Sequence, residues 1–132
     1  MSRDLIRLMH ALFLPGAEAY EGPAPWRPHA DVYRTSNGWL VKFELAGVKA
    51  EDIELDVLGY TLTIRGHRRD AVLDAATRSG EPPPVHHLLE IGYSRFERQL
   101  ELPCDLKTAN ITTELRDGLL LVRIVPTKEA RR

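Results

Sequence analysis

Few residues in this 132-residue chain are of types that carry chemistry, and their spacing argues against most of it. Cys104 is the only cysteine and has no evident histidine partner, so a small half-buried residue after a strand is the simpler reading than a nucleophile. His86-His87 is the one adjacent histidine pair. Neighbouring residues on a strand point to opposite faces, so these two cannot chelate one metal from regular β-structure. The carboxylates are scattered over positions that alternation places toward solvent. Neither a Gly-x-x-x-x-Gly-Lys phosphate loop nor a Gly-x-Ser-x-Gly elbow occurs. No catalytic residue, metal or cofactor is expected, and the chain is not expected to be an enzyme.

One side chain does demand a partner. The stretch from Arg95 to Leu102 alternates polar and apolar residues, which puts Phe96, Leu100 and Leu102 on one strand face. Arg98 falls on that same face. An unpaired guanidinium taken out of water costs several kcal/mol. Arg98 is therefore expected to meet a carboxylate across a strand pair or a subunit boundary, unless the strand edge there is open to water.

The elements that must position it are short strands. The 43% hydrophobic and 28% charged residues are ordinary for a single globular domain. A formal net charge of -1 gives no reason to expect nucleic acid or an anionic membrane as partner. No apolar run approaches the roughly 18 residues of a membrane span. Ala17-Glu18-Ala19 has a small-x-small look, but the apolar run before it, Ala11 to Leu14, is too short for a secretory signal. With a single cysteine, a reducing cytoplasm is the expected setting.

Residues 1–27 are expected to form an N-terminal arm. Ser2 to Leu14 reads as a short amphipathic helix whose stripe is Leu5, Leu8, Met9, Leu12 and Phe13, followed by a proline-rich linker. From residue 28 to 126 the period becomes two. Strands are predicted at Asp31 to Arg34, Trp39 to Leu45, Ile53 to Val57, Thr61 to Arg65, Arg95 to Leu102, Asn110 to Leu115 and Leu119 to Val125. Arg116-Asp117-Gly118 joins the last two as a hairpin. Between them, Arg68 to Pro84 breaks the pattern with an alanine-rich patch and three consecutive prolines, and is expected to be an irregular loop. His86 to Ile91 is expected as a short strand at its far end. About eight strands make an antiparallel β-sandwich, immunoglobulin-like in class. Residues 127–132 are a charged stub.

The ordered series Glu90, Tyr93-Ser94-Arg95-Phe96-Glu97-Arg98, Leu102-Pro103, Ala109, Asp117-Gly118-Leu119-Leu120 and Pro126 resembles the α-crystallin domain of small heat-shock proteins. Glu44-Leu45-Ala46-Gly47-Val48, Asp52-Ile53 and Leu62-Thr63-Ile64-Arg65-Gly66 resemble its first half. The resemblance implies a stress-response chaperone: an ATP-independent holdase that captures non-native client proteins. It also implies a strand-swapped homodimer. The swap loop would cover about residues 68–92, with His86, His87, Leu88, Leu89, Glu90 and Ile91 as the lent strand and Arg98 as the ion-pairing residue of the interface. A client groove is implied between two strands, at Ile53, Leu55, Val57, Ile111, Thr113 and Leu115, aided by the N-terminal stripe. Family members often carry an Ile-x-Ile/Val pair after the last strand. None follows Pro126 here, so large tail-linked assemblies are not expected; Ile6-Arg7-Leu8 has a similar shape but fits the amphipathic stripe. Two rivals stand beside this reading. One is an adaptor sandwich docking a single partner, and the other is a ligand-binding sandwich such as a carbohydrate module, for which Trp39 and Trp26 are poorly placed.

Overall fold

The computed structural model describes residues 26–127. The predicted N-terminal helix, with Leu5, Leu8, Met9, Leu12 and Phe13, lies outside them. Seven strands follow in order: β1 (Ala30–Arg34), β2 (Trp39–Glu44), β3 (Ile53–Leu58), β4 (Thr61–His67), β5 (Arg95–Glu101), β6 (Asn110–Arg116) and β7 (Leu119–Val125). A 3-10 turn at Ala50–Asp52 leads into β3, and a helix, α1 (Ala71–Arg78), sits between β4 and β5.

The strands form two antiparallel sheets, ordered β1-β2-β7-β6 and β3-β4-β5. Alternation explains which faces meet. Val41 and Phe43 of β2 lie opposite Val122 and Leu120 of β7, and all four are buried. On the second sheet, Leu62 and Ile64 of β4 and Phe96 of β5 turn inward to the same core cluster. Burying each such side chain contributes about 1.5–3 kcal/mol, so this two-sheet contact supplies most of the stability. The β6–β7 hairpin has a two-residue loop, Asp117-Gly118, with φ of 53° and 78°. Both central residues are left-handed, as the tightest hairpin turns require, so Asp-Gly fits there.

The seven strands predicted outside the excursion are present, with ends shifted by at most two residues. Two stretches differ from expectation within the single chain. His86 to Ile91 carries no strand, giving seven among the described residues rather than about eight. A strand exists by hydrogen bonding to another strand, and no described strand pairs with it. The stretch from Arg68 to Pro84 is also less irregular than expected, because α1 occupies its middle. The Asp70 carboxylate accepts from the Leu73 N–H at 3.1 Å as an N-cap. Gly80, at φ 81°, closes the helix. A cap, an alanine-rich run and a trailing glycine are readable signals of a short helix.

Gly66 is the tightest backbone position of β4. A Cβ there would lie 2.0 Å from the Asp52 carbonyl oxygen and 2.6 Å from Cζ of Phe96. The ring of Phe96 packs over the bare glycine, and no flexible side-chain tip is available to yield. Gly66→Ala is expected to destabilise the fold by roughly 3 kcal/mol. Gly59→Ala, where nothing lies within 4 Å and only the φ of 59° opposes the change, should cost about 1 kcal/mol. Urea denaturation of the two variants checks this; equal losses would refute the steric argument.

Candidate functional site

The excursion between β4 and β5 is the most exposed apolar feature of the described residues. The chain leaves the second sheet after His67, forms α1, passes Pro82, Pro83 and Pro84, and returns at Arg95. Three prolines in a row supply no N–H groups and cannot continue the helix. Beyond them Val85, Leu88, Leu89 and Ile91 are 83%, 76%, 67% and 64% exposed. Single exposed apolar residues are ordinary, but four within seven positions mark an interaction surface. His86, His87 and Glu90 are exposed between them.

The first sheet offers a complementary feature. β1 is its outer strand, so one side of the β1 backbone has no neighbouring strand. Val32 and Tyr33 on it are 43% and 44% exposed. Its outward side chains interact with the next strand: Lys42 Nζ lies 3.8 Å from Asp31 and 5.0 Å from the centre of the Tyr33 ring. An unpaired edge of this kind accepts a further strand.

Arg98 sits where alternation predicts, opposite Ile64 in the β4–β5 register and therefore on the inner face. The expected carboxylate is not supplied by the described residues. Arg98 Nη1 donates instead to the Pro28 carbonyl at 2.9 Å, and its buried Nε has no acceptor among the described residues. Burial, and then the charge of Arg27, pull its pKa below the usual arginine value.

The neighbouring residue was not foreseen. Glu97 points to the outer face yet is only 6% exposed, unlike the solvated carboxylates the sequence implies. Arg65, its register partner on β4, lies 3.5 Å from Glu97, 3.7 Å from Glu54 and in contact with Asp56. A three-strand register brings these four together, and register across separated strands is not written in any local motif.

Of the groove residues, Ile53, Leu55 and Val57 on β3 and Ile111 and Leu115 on β6 are half-buried and pack against the core, while Thr113 is exposed. These five therefore turn toward the core rather than fully out to solvent. Both strands are sheet edges. Trp26 forms an isolated bridge to Phe96 of β5, and β1 begins four residues later. That span reaches at most about 14 Å, so the β5 and β1 edges share one side of the sandwich. The β3 and β6 edges are left together on the other side.

Cys104 is buried, and no group of three metal-ligating side chains exists among the described residues. No described helix is long and apolar enough to cross a membrane.

Comparison with known proteins fits this architecture. Residues 31–132 match the model of the Hsp20/alpha crystallin family. "Small heat shock protein C2" of Rickettsia felis is 28% identical over 102 residues, covering 77% of this chain and 61% of that protein. "18 kDa antigen 2" of Mycobacterium avium is 32% identical over 101 residues, covering 76% of this chain and 67% of its own length. The chain thus spans about three fifths of the curated Rickettsia relatives it matches, at 61% and 58%. Among solved structures, hspA from Xanthomonas axonopodis superposes with a TM-score of 0.59 at 28% identity, covering 81% of this chain and 99% of that one. Heat shock protein 16.0 from Schizosaccharomyces pombe, at 24% identity, shares the fold with a TM-score of 0.65 over 81% of this chain and 93% of its own.

The Cys104 thiol is pushed above its ordinary range by burial, with the Asp105 carboxylate adding in the same direction. Iodoacetamide should therefore label the native protein slowly at pH 7.5 and faster as pH rises, whereas urea-unfolded chain should react promptly. Rapid native labelling at neutral pH would show an accessible thiolate and restore a reactive role.

Proposed function

The chain belongs to the Hsp20/alpha crystallin family, and on that premise we propose that it is an ATP-independent holdase whose working unit is a strand-exchanged homodimer. The observation that carries this reading is the segment His86–Ile91. It is apolar and exposed, and it pairs with no strand of its own sandwich. The β1 edge of the same molecule is open. A second copy satisfies both at once: each protomer lends its segment to the other's β1, gaining ladder hydrogen bonds and burying Leu88, Leu89 and Ile91.

Arg98 supports the same interface. Its Nε is a buried donor without an acceptor among the described residues, and Glu90 on the lent segment is an acid of the right charge. A hydrogen bond to a charged group is worth about 1.5–3 kcal/mol. Client capture then rests on non-directional apolar burial, for which the row Ile53, Leu55, Val57, Ile111 and Leu115 and the stripe of residues 5–13 are the surfaces. Such contacts read exposed hydrophobic area rather than sequence, which suits partly unfolded chains. A chain whose only cysteine is buried suits a reducing cytoplasm.

Two measurements test the proposal. The purified chain should suppress heat-induced aggregation of an unrelated thermolabile enzyme near equimolar ratio without nucleotide; no suppression would refute the holdase. In sedimentation velocity, the Leu89→Asp, Ile91→Asp double variant should run as a folded monomer. Arg98→Met should weaken the dimer at least tenfold, which is about 1.4 kcal/mol, while changing the stability of that monomeric background little. A dimer that survives both changes would exclude strand exchange.

A further inference from the structure

The excursion that carries His86–Ile91 has two feet, and one side chain grips both. Arg68 follows the last residue of β4, and its N–H donates to the Ser94 carbonyl at 3.0 Å. Its guanidinium Nε donates to the Gly92 carbonyl at 2.8 Å, so the place where the excursion leaves is tied to the place where it returns. Nη1 reaches the Ala46 carbonyl at 3.3 Å, in the connection after β2. Cζ of the same guanidinium lies over the Trp26 indole, 3.9 Å from its centre. A planar, always-charged fork can do all of this together, and a lysine ammonium cannot.

Trp26 is itself anchored on the strand that receives the returning chain. Its N–H donates to the Arg95 carbonyl at 2.8 Å, and its carbonyl accepts from the Glu97 N–H at 3.3 Å. Its ring meets Phe96 edge-on with centroids 5.5 Å apart. Two residues further along, the Pro28 carbonyl holds Arg98. The segment 26–28 therefore touches the grip on the excursion and the buried guanidinium assigned to the dimer interface. It is also the point where residues 1–25 join the sandwich.

We propose that Arg68 and Trp26 form a single clasp that sets the direction in which the excursion leaves the sandwich, coupling the seating of residues 26–28 to strand exchange. The excursion makes no ladder with either sheet, so its direction is fixed at its feet. With the indole seated, Arg68 is sandwiched between the ring and the backbone carbonyls, and both feet are held. With the indole displaced, the guanidinium loses one face of its enclosure and the feet loosen together. Arg68 is a positioning residue here; it need not touch the partner. The effect on dimerisation rests on the strand-exchange reading above, whereas the grip on the feet does not.

The test uses the full chain with Arg68→Lys, Trp26→Phe and both together. Arg68→Lys keeps the charge and removes the fork, and Trp26→Phe keeps a smaller ring. Sedimentation equilibrium should show each single variant weakening the dimer at least fivefold, with the double variant no weaker than the worse single. Additive losses, or unchanged dimerisation in both singles, would overturn the coupling. A second reading is independent of dimerisation. A nitroxide at position 93, introduced as Tyr93→Cys in a Cys104→Ser chain, should gain mobility in both single variants, while urea midpoints shift little. An immobile label would overturn the clasp even if the protein were monomeric. A monomeric wild type with a label freed by both variants would remove the dimer and keep the clasp.

Discussion

A β-strand offers hydrogen-bonding groups to both sides, and a two-sheet sandwich leaves four of its strand sides without neighbours. In this molecule the edges are β1, β6, β3 and β5, and each is managed differently. The β5 edge is covered in part by Trp26, whose backbone bonds on both sides of Phe96. The β3 and β6 edges turn half-buried apolar side chains inward and carry Glu54, Asp56 and Glu114 among the outward ones. Charge on an edge discourages uncontrolled pairing. β1 is likewise open on one side, and the same chain holds the exposed segment His86–Ile91, which has no strand partner among the described residues. The proposed dimer is an answer to that imbalance rather than an addition to a finished fold.

The electrostatics of the second sheet follow from its having only three strands. Both faces of its middle strand are shielded: Leu62 and Ile64 inside, Thr63 buried outside. Beside Thr63 on that outer face, Glu97 and Arg65 lie directly opposite each other. A buried carboxylate is tolerable only with a cation at hand. Arg65 supplies it, with Asp56 and Glu54 sharing its other side. Glu97 Oε2 nevertheless keeps no partner among the described residues. Across the backbone, on the inner face, Arg98 has one nitrogen bonded and another unmatched. β5 thus places an under-satisfied acid and an under-satisfied base at consecutive positions on opposite faces.

How far these features were legible in sequence depended on their range. Period-two alternation located the strands and set Phe96, Arg98 and Leu100 on one face, because face is a local property of an extended chain. The Asp117-Gly118 hairpin was equally local. The odd arginine on the inner face of β5 stood out for the same reason, and the expectation that it would need a partner was sound physics. Its acceptor in the protomer is a proline carbonyl 70 residues away, which no spacing rule could select. Register failed likewise: nothing near Glu97 in the chain indicates that Arg65 will lie opposite. The missed helix was different. Asp70, the alanine run and Gly80 announced it, and the loop reading gave too much weight to the prolines that follow.

The position of Trp26 links these threads. In sequence it sits in a proline-rich stretch that reads as linker, and no periodicity connects it to the sandwich. In the structure its ring, amide and carbonyl all engage the second sheet. Its neighbour Pro28 faces Arg98 and its ring faces Arg68, so two guanidinium groups, one inside the sandwich and one at its rim, read the placement of the same three residues. Charged groups in low-dielectric surroundings are sensitive reporters of small displacements, since their compensation depends on geometry. A shift that moves the 26–28 backbone must alter both. Because Arg68 holds both feet of the excursion and Arg98 belongs to the proposed interface, the 26–28 backbone is where the proposed clasp and the proposed strand exchange meet without crossing the hydrophobic core.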